Sequence, residues 1–214
     1  MPVNATIEKG PKAILIDFGG VLATEGFCDG LKAIARHQGL DPIEVHLKGM
    51  DAIYDSGYIV GDGSEAEFWN MLRESAGLVG KDADFSCEIL KRFMIRPRMI
   101  KAVRCLRLRG ITTAILSDQT DWLERLDARY KFFREFDHVF NSYRLGKGKR
   151  DPSLFTDVVA FLGINPHEAL FVDDMLANVE RAKTKGIPGF VFTDEEDFLS
   201  ELDQLFNLKR LKNQ

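Results

Sequence analysis

Short apolar runs alternate with amphipathic segments along most of the chain. Four of these runs predict strands that are buried on both faces, and they span residues 12–18, 112–117, 169–174 and 189–194. Between them, apolar residues recur with the helical period and predict helices that end near Gly110, Gly163 and Gly186. A last amphipathic helix is predicted from about 195 to 210. Strands that alternate with helices predict βαβ units, and therefore an α/β fold with a doubly wound parallel sheet.

Residues 24–96 interrupt this alternation and carry helix signals instead. Asp41 is followed by Pro42, as an N-cap residue is followed by proline at the first helical position. A connection this long between two core strands must have structure of its own. We therefore predict a helical cap at 24–96, inserted after the first strand into an α/β core that comprises 1–23 and 97–214.

Three of the predicted strands end in polar side chains. Asp17 ends the first, Ser117 ends the second, and Asp173 and Asp174 end the third. The carboxyl ends of parallel strands meet at one edge of the sheet, where open α/β sheets bind ligands. Capping of the following helix could explain each of these residues singly. Their recurrence at one edge predicts a functional site.

Composition and charge narrow the functional classes. The net charge is −4, with acidic and basic residues mixed along the chain, which argues against nucleic acid as a partner. No stretch reaches the roughly 20 apolar residues that a membrane span requires, and the first residues lack an apolar signal segment. The three widely spaced cysteines predict reduced thiols. We expect a soluble, cytoplasmic protein without a membrane partner; its oligomeric state does not follow from the sequence.

Four segments, in this order, resemble the motifs of the haloacid dehalogenase-like superfamily. They are ILIDFGGVL at 14–22, AILSD at 114–118, Lys149 within GKRDPSLF, and LFVDDMLAN at 170–178. The insert after the first motif is similar to the superfamily's C1-type helical cap. The resemblance covers nearly the whole chain and implies a Rossmann-like core.

The same resemblance implies a Mg²⁺-dependent hydrolase that acts on a small phosphorylated metabolite. Asp17 would attack phosphorus and form an aspartyl-phosphate, which divides hydrolysis into two easier steps. Ser117 and Lys149 would complete the catalytic set by holding and neutralising the transferred phosphoryl group. The implied substrate-binding residues are Ser117, Asp118 and Lys149.

A magnesium site is also implied, because a phosphate and a carboxylate repel each other unless positive charge lies between them. Its implied ligands are Asp17, the backbone carbonyl of Gly19, and the acidic pair. In that pair Asp174 binds directly, and Asp173 binds either directly or through water.

One position departs from the pattern of the superfamily's phosphatases. They carry a second aspartate two residues after the nucleophile, as general acid and base, and here that position is Gly19. Three functions stay open: a phosphatase, a 2-haloacid dehalogenase whose nucleophile attacks carbon, and a catalytically weak phospho-ligand-binding or regulatory protein. The pair Asp173 and Asp174 favours the phosphatase, because the dehalogenase chemistry needs no Mg²⁺.

Some assignments have competitors nearby in the sequence. Lys147 competes with Lys149, and the superfamily's spacing, with lysine two residues before Asp-Pro, selects Lys149. Asn178 could equally cap a helix or support the metal ligands. An acid from the cap could replace the missing one at Gly19. Candidate contacts from the cap are Glu25, His37 and His46.

Overall fold

The computed structural model of the protein describes residues 10–206. At its centre is a five-stranded sheet in which all neighbouring strands are parallel. The strands are β1 (Ala13–Ile16), β2 (Thr112–Ser117), β3 (His138–Asn141), β4 (Ala169–Asp173) and β5 (Gly189–Val191). Their order across the sheet is β3-β2-β1-β4-β5, which confirms the predicted doubly wound α/β fold.

Helices surround this sheet and fill the long connection after β1. In chain order they are α1 (Gly26–His37), α2 (Pro42–Asp55), α3 (Glu65–Ala76), α4 (Asp82–Leu90), α5 (Pro97–Arg107), α6 (Trp122–Tyr130), α7 (Ser142–Leu145), α8 (Ser153–Phe161), α9 (Leu176–Thr184) and α10 (Glu195–Phe206). Single 3₁₀ turns lie at Tyr58–Val60, Phe133–Glu135 and Pro166–Glu168, and a wide turn follows β1 at Phe18–Leu22. Within residues 10–206, each helix is too short or too polar to cross a membrane.

The apolar run of β1 is buried on both faces, as its sequence predicts. Side chains of successive strand residues point to opposite faces. Ile14 and Ile16 therefore join the core with α5, α6 and α10, whereas Leu15 joins the core with α8 and α9. With both faces covered, a ligand has to approach the sheet from an edge, and the polar strand ends lie at the carboxyl edge.

The four helices α1 to α4 lie between the turn after β1 and α5. Asp41 begins α2 by accepting hydrogen bonds from the amides of Ile43 and Glu44, as the Asp-Pro signal predicts. The entering and leaving strands of this insert lie side by side, with an antiparallel bridge between Ala23 and Ile95. The division into a cap at 24–96 and a core at 1–23 and 97–214 stays our proposal.

Two details differ from the sequence prediction. Strand β3 was not predicted, because it is a short edge strand that follows an aromatic cluster without alternation. Three of the predicted strands also end one to three residues earlier than expected, at Ile16, Asp173 and Val191, whereas β2 ends at Ser117 as predicted. The helix predicted at 195–210 is present as α10, and positions 207–210 lie outside the described residues.

Candidate functional site

A cavity of about 410 Å³ lies at the carboxyl edge of the sheet, beneath α1 and α2. Six residues that the sequence assigns to the site line it: Asp17, Gly19, Ser117, Asp118, Lys149 and Asp174. Asp173, the seventh, is completely buried beside them. All the predicted site residues therefore meet at one place, because β1, β2 and β4 are neighbours in the sheet.

Asp17 follows β1 directly, and its carboxylate is held in a fixed orientation. Its Oδ1 accepts a hydrogen bond from the amide of Phe18 at 2.7 Å and lies 2.7 Å from Nζ of Lys149. Its own amide donates to the carbonyl of Val172 in β4 at 2.9 Å, which ties the strand end to the neighbouring strand. A carboxylate fixed in this way does not need to be reoriented when a substrate binds.

Lys149 lies deep in the site, with 1% of its side chain exposed. Its Nζ lies 2.6 Å from Oδ2 of Asp173 as well as close to Asp17. Burial alone would lower the pKa of Lys149, but the charges of Asp17, Asp173 and Asp118 outweigh that effect and raise it. The ammonium group therefore keeps its proton and is a permanent positive charge.

Lys147, the competing lysine, points elsewhere. Its Nζ donates to the hydroxyl of Ser153 at 2.8 Å and to Oδ2 of Asp157 at 2.6 Å. Both partners belong to α8, which places the Lys147 ammonium outside the cavity lining. The structure thus places Lys149 at the site.

Asp173 has hydrogen-bond partners on both of its oxygens. Its Oδ1 accepts from the amide of Met175 at 2.8 Å and from Asn178 Nδ2 at 3.1 Å. Its Oδ2 accepts from Lys149 at 2.6 Å and from Asn178 Nδ2 at 3.2 Å. These contacts give Asn178 the supporting role, since its amide holds the Asp173 carboxylate in place.

Asp174 is exposed, in contrast to Asp173, and lies against Gly20. A β carbon at position 20 would lie only 2.2 Å from Oδ2 of Asp174, and Gly20 has a φ of 76°. Both facts require glycine here, because other residues would clash and would be strained in this left-handed conformation. Gly20 is therefore a site residue that the sequence analysis missed.

The site contains more negative charge than its one lysine balances. Burial raises the pKa of Asp17 to about 8, an effect that Lys149 opposes and that Asp173 and Asp174 strengthen. Although much of the Asp174 residue is exposed, the partial desolvation of its carboxyl and the charge of Asp173 also raise the pKa of Asp174. One oxygen from each of the three carboxylates lies within 4.8 Å of the others. A compact set of hard oxygen donors with excess negative charge fits a divalent cation such as Mg²⁺.

Ser117 and Asp118 follow β2 but differ in their surroundings. Ser117 is buried at the strand end and lines the cavity. Asp118 accepts a hydrogen bond from the amide of Lys149 at 2.8 Å and another from the Tyr54 hydroxyl at 3.1 Å. The carboxylate of Asp118 therefore connects the lysine loop to α2, which is a positioning contact.

Several cavity residues were not predicted, because the family pattern gives them no role, although Arg150 lies within the segment GKRDPSLF. The guanidinium of Arg150 lies 3.3 Å from the ring centroid of Tyr54, and both residues line the cavity. Arg181 also lines it and donates to Asn178 Oδ1 at 2.8 Å. Further lining residues are apolar: Phe27, Met50, Ile53, Ile59 and Trp122. A stacked cation next to a tyrosine leaves no periodic signal in a sequence.

Two of the three candidate contacts from the insert line the cavity, namely Glu25 and His46, whereas His37 is not among its lining residues. Glu25 is the N-cap residue of α1, and burial raises the pKa of its carboxyl. Burial, with a contribution from Lys32, lowers the pKa of His46.

Comparison with known proteins extends this picture. The sequence model of the haloacid dehalogenase-like hydrolase family matches residues 11–184. Bifunctional epoxide hydrolase 2 of Rattus norvegicus is 28% identical over 128 residues, which are 56% of this chain and 23% of that protein. The chain thus spans less than a quarter of the length of this relative. Sesquiterpene phosphatase astK of Aspergillus oryzae is 27% identical over 210 residues, which are 91% of this chain and 96% of that protein.

Among solved structures, a HAD (haloacid dehalogenase) family enzyme from Bacteroides thetaiotaomicron has a similar fold. Its magnesium complex superposes with a TM-score of 0.70 at 25% sequence identity. The superposition covers 90% of this chain and 98% of that chain.

Proposed function

Since the chain belongs to the haloacid dehalogenase-like hydrolase family, we propose that it is a Mg²⁺-dependent phosphatase that hydrolyses a small phosphate ester through an aspartyl-phosphate on Asp17. The observation that carries this proposal is the convergence of Asp17, Asp173 and Asp174, next to the buried ammonium of Lys149. The phosphatase among the relatives and the magnesium complex of the similar structure support it.

Magnesium would be held by Asp17, Asp174 and the backbone carbonyl of Gly19. Asp173 would support it from behind, because both of its oxygens already accept hydrogen bonds. When bound, Mg²⁺ supplies positive charge that lets an anionic nucleophile approach a phosphate.

The residues of the chain would divide the reaction between them. The oriented carboxylate of Asp17 attacks phosphorus and forms the covalent intermediate. Lys149 balances the charge of Asp17 and of the transferred phosphoryl group, and Ser117 holds one phosphoryl oxygen from the adjacent strand end. Asp118 acts through its contact with the Lys149 amide, since a second carboxylate near the phosphate would repel it.

The residues that line the cavity also indicate which kind of alcohol the ester contains. The cavity has the volume of a small-ligand site, and apolar or aromatic side chains form part of its lining, among them Phe27, Met50, Ile53, Ile59 and Trp122. An ester with an apolar or planar alcohol would remove these side chains from water, which the hydroxyl groups of a sugar would do less completely. The sesquiterpene phosphatase among the relatives agrees with this preference.

A phosphate-release screen tests the proposal. The panel contains p-nitrophenyl phosphate, an n-alkyl phosphate, a prenyl phosphate, a flavin mononucleotide and a hexose phosphate, each with Mg²⁺ and with EDTA. We expect turnover that requires Mg²⁺ and that Asp17→Asn abolishes, while the circular dichroism spectrum stays unchanged. Turnover that persists in EDTA, or in Asp17→Asn, would contradict it.

The same protein preparations can be used to test the two alternative functions, a dehalogenase and a binding or regulatory protein. Halide release from a 2-haloacid in EDTA would identify a dehalogenase. Saturable binding of a phosphate ester without turnover would identify a binding or regulatory protein.

A further inference from the structure

The position that lacks the usual acid is adjacent to another acid. A β carbon at Gly19 would lie 2.9 Å from Oε2 of Glu25. The carboxylate of Glu25 therefore occupies the space that a side chain at position 19 would fill. Both residues line the cavity together with Asp17.

The Glu25 carboxylate is held there by the start of α1 and by the fixed position of the residue before it. Its Oε1 caps α1 by accepting a hydrogen bond from the amide of Cys28 at 3.2 Å, so that Oε2 is the oxygen nearest Gly19. The preceding residue, Thr24, is fixed to the leaving strand of the insert, since its amide donates to Met94 O at 3.0 Å and its hydroxyl accepts from Met94 N at 2.8 Å. The carboxylate thus comes from the start of the insert and lies over the carboxyl edge of the sheet.

We propose that Glu25 is the general acid and base of the phosphatase, and that it replaces the side chain that Gly19 lacks. This inference rests on the proposed function. In the first step, an oxygen of Asp17 bonds to phosphorus, the bond from phosphorus to the ester oxygen breaks, and the Glu25 proton moves to that oxygen to give the alcohol. In the second step, Glu25 takes a proton from water, the water oxygen bonds to phosphorus, and the bond to Asp17 breaks. Phosphate leaves, and both carboxyl groups return to their starting states.

The other carboxylates that line the cavity have roles other than proton transfer. Asp118 accepts hydrogen bonds from the Lys149 amide and from Tyr54 on its two oxygens. Asp17 is the proposed nucleophile, and Asp174 belongs to the proposed metal ligands. Among the acids that line the described cavity, Glu25 is left for proton transfer, and it adjoins position 19.

The decisive variant is Glu25→Gln, which keeps the oxygen that caps α1 but cannot transfer a proton. The value of kcat/KM reports the first step, so it is compared for p-nitrophenyl phosphate and for the fastest alkyl ester of the panel. For the alkyl ester we expect a fall of about 10² to 10⁴-fold, because its leaving oxygen needs the proton. For p-nitrophenyl phosphate we expect a fall of less than about tenfold, because p-nitrophenolate leaves unprotonated.

The second step provides an independent reading. Without a base, Glu25→Gln should accumulate the aspartyl-phosphate, so p-nitrophenol should appear in a burst followed by a slow steady rate. Glu74→Gln is the matched control, because it makes the same substitution at an exposed position of α3 that is not among the cavity lining residues. It should behave as the wild type in both measurements.

A transfer of the acid tests the position directly. Gly19→Asp alone places a β carbon against Glu25, so it should lower turnover. In combination with Glu25→Ala, the same substitution places a carboxylate in the vacated space. This double variant should hydrolyse the alkyl ester at least about tenfold faster than Glu25→Ala, and it also serves if Glu25→Gln does not fold.

These outcomes distinguish a wrong role for Glu25 from a wrong function for the protein. If the wild type releases phosphate and Glu25→Gln keeps the wild-type ratio of alkyl to aryl kcat/KM, the role of Glu25 is wrong and the phosphatase stands. If the wild type releases phosphate from no ester, the proposed function fails, and the role of Glu25 fails with it.

Discussion

Nζ of Lys149 lies 2.7 Å from Oδ1 of Asp17, and both groups are buried at the carboxyl edge of the sheet. Moving two charged groups out of water is unfavourable, so such a pair persists only where further contacts satisfy it. Here the amide of Lys149 is fixed by Asp118, and the amide of Phe18 donates to the same oxygen of Asp17. The pair therefore fixes the proposed nucleophile and the charge that balances it relative to each other before a substrate arrives.

Replacement of Lys149 tests the importance of its ion pair with Asp17, and replacement of the nearby Lys147 provides the comparison. Lys149→Met should lower phosphate release by about 10² to 10³-fold or more, because the buried positive charge is lost. It should also lower the melting temperature measured without Mg²⁺, since the carboxylates then repel each other without compensation. Lys147→Met, whose side chain contacts α8, should leave turnover unchanged; equal losses in the two variants would contradict the assignment.

Substitutions of Asp173 and Asp174 should have different effects on Mg²⁺ binding and on stability. Asp174→Ala should lose Mg²⁺ binding in isothermal titration calorimetry while its melting temperature stays near that of the wild type, because Asp174 is exposed. Asp173→Ala should retain part of the turnover but melt earlier, because it leaves Lys149 and Asn178 without their buried acceptor. The reverse pattern would show that Asp173 is the principal metal ligand.

Gly20→Ala should weaken the metal site through the position of Asp174. The new β carbon would lie 2.2 Å from Asp174 Oδ2, so that carboxylate must move. We expect Mg²⁺ affinity to fall by about tenfold or more, as for other changes that misplace a ligand. Gly110→Ala is the matched control, because its φ of 77° carries the same backbone cost of about 1–2 kcal/mol, whereas a β carbon there meets nothing within 4 Å. Equal Mg²⁺ affinities in the two variants would contradict the steric argument.

Asn178 should matter through Asp173. Asn178→Ala removes the amide that donates to both oxygens of Asp173, so the carboxylate can rotate. We expect Mg²⁺ affinity or turnover to fall by about 10 to 100-fold, the range for supporting residues of metal ligands. Asn70→Ala, on the exposed side of α3, is the control and should have no effect. If Asn178→Ala binds Mg²⁺ with the affinity of the wild type and keeps its turnover, Asn178 does not support the metal site.

The order of apolar runs along the chain was enough to predict the fold class and the strand-end residues of the site. An apolar run buried on both faces has few alternatives to a central parallel strand, and β1 with its neighbours β2 and β4 formed where such runs stand. Because parallel strands end at one edge, the polar residues that close them had to meet. That argument brings Asp17, Ser117, Asp173 and Asp174 together without any distance being known.

Which side chains face each other across connections could not be predicted from the sequence, because it depends on how the folded elements pack. Lys147 and Lys149 are two residues apart in one loop, and their directions depend on packing against α8 and the Asp118 carboxylate, which no periodicity encodes. Glu25 and Gly19 meet through the turn at Phe18–Leu22 and the capped start of α1. Hydrophobic patterns determine the face of a helix or strand on which a residue lies. The approach of two polar groups depends instead on how separate elements pack against each other. In this protein that packing places the carboxylate of Glu25 beside Gly19, the position that lacks the usual acid.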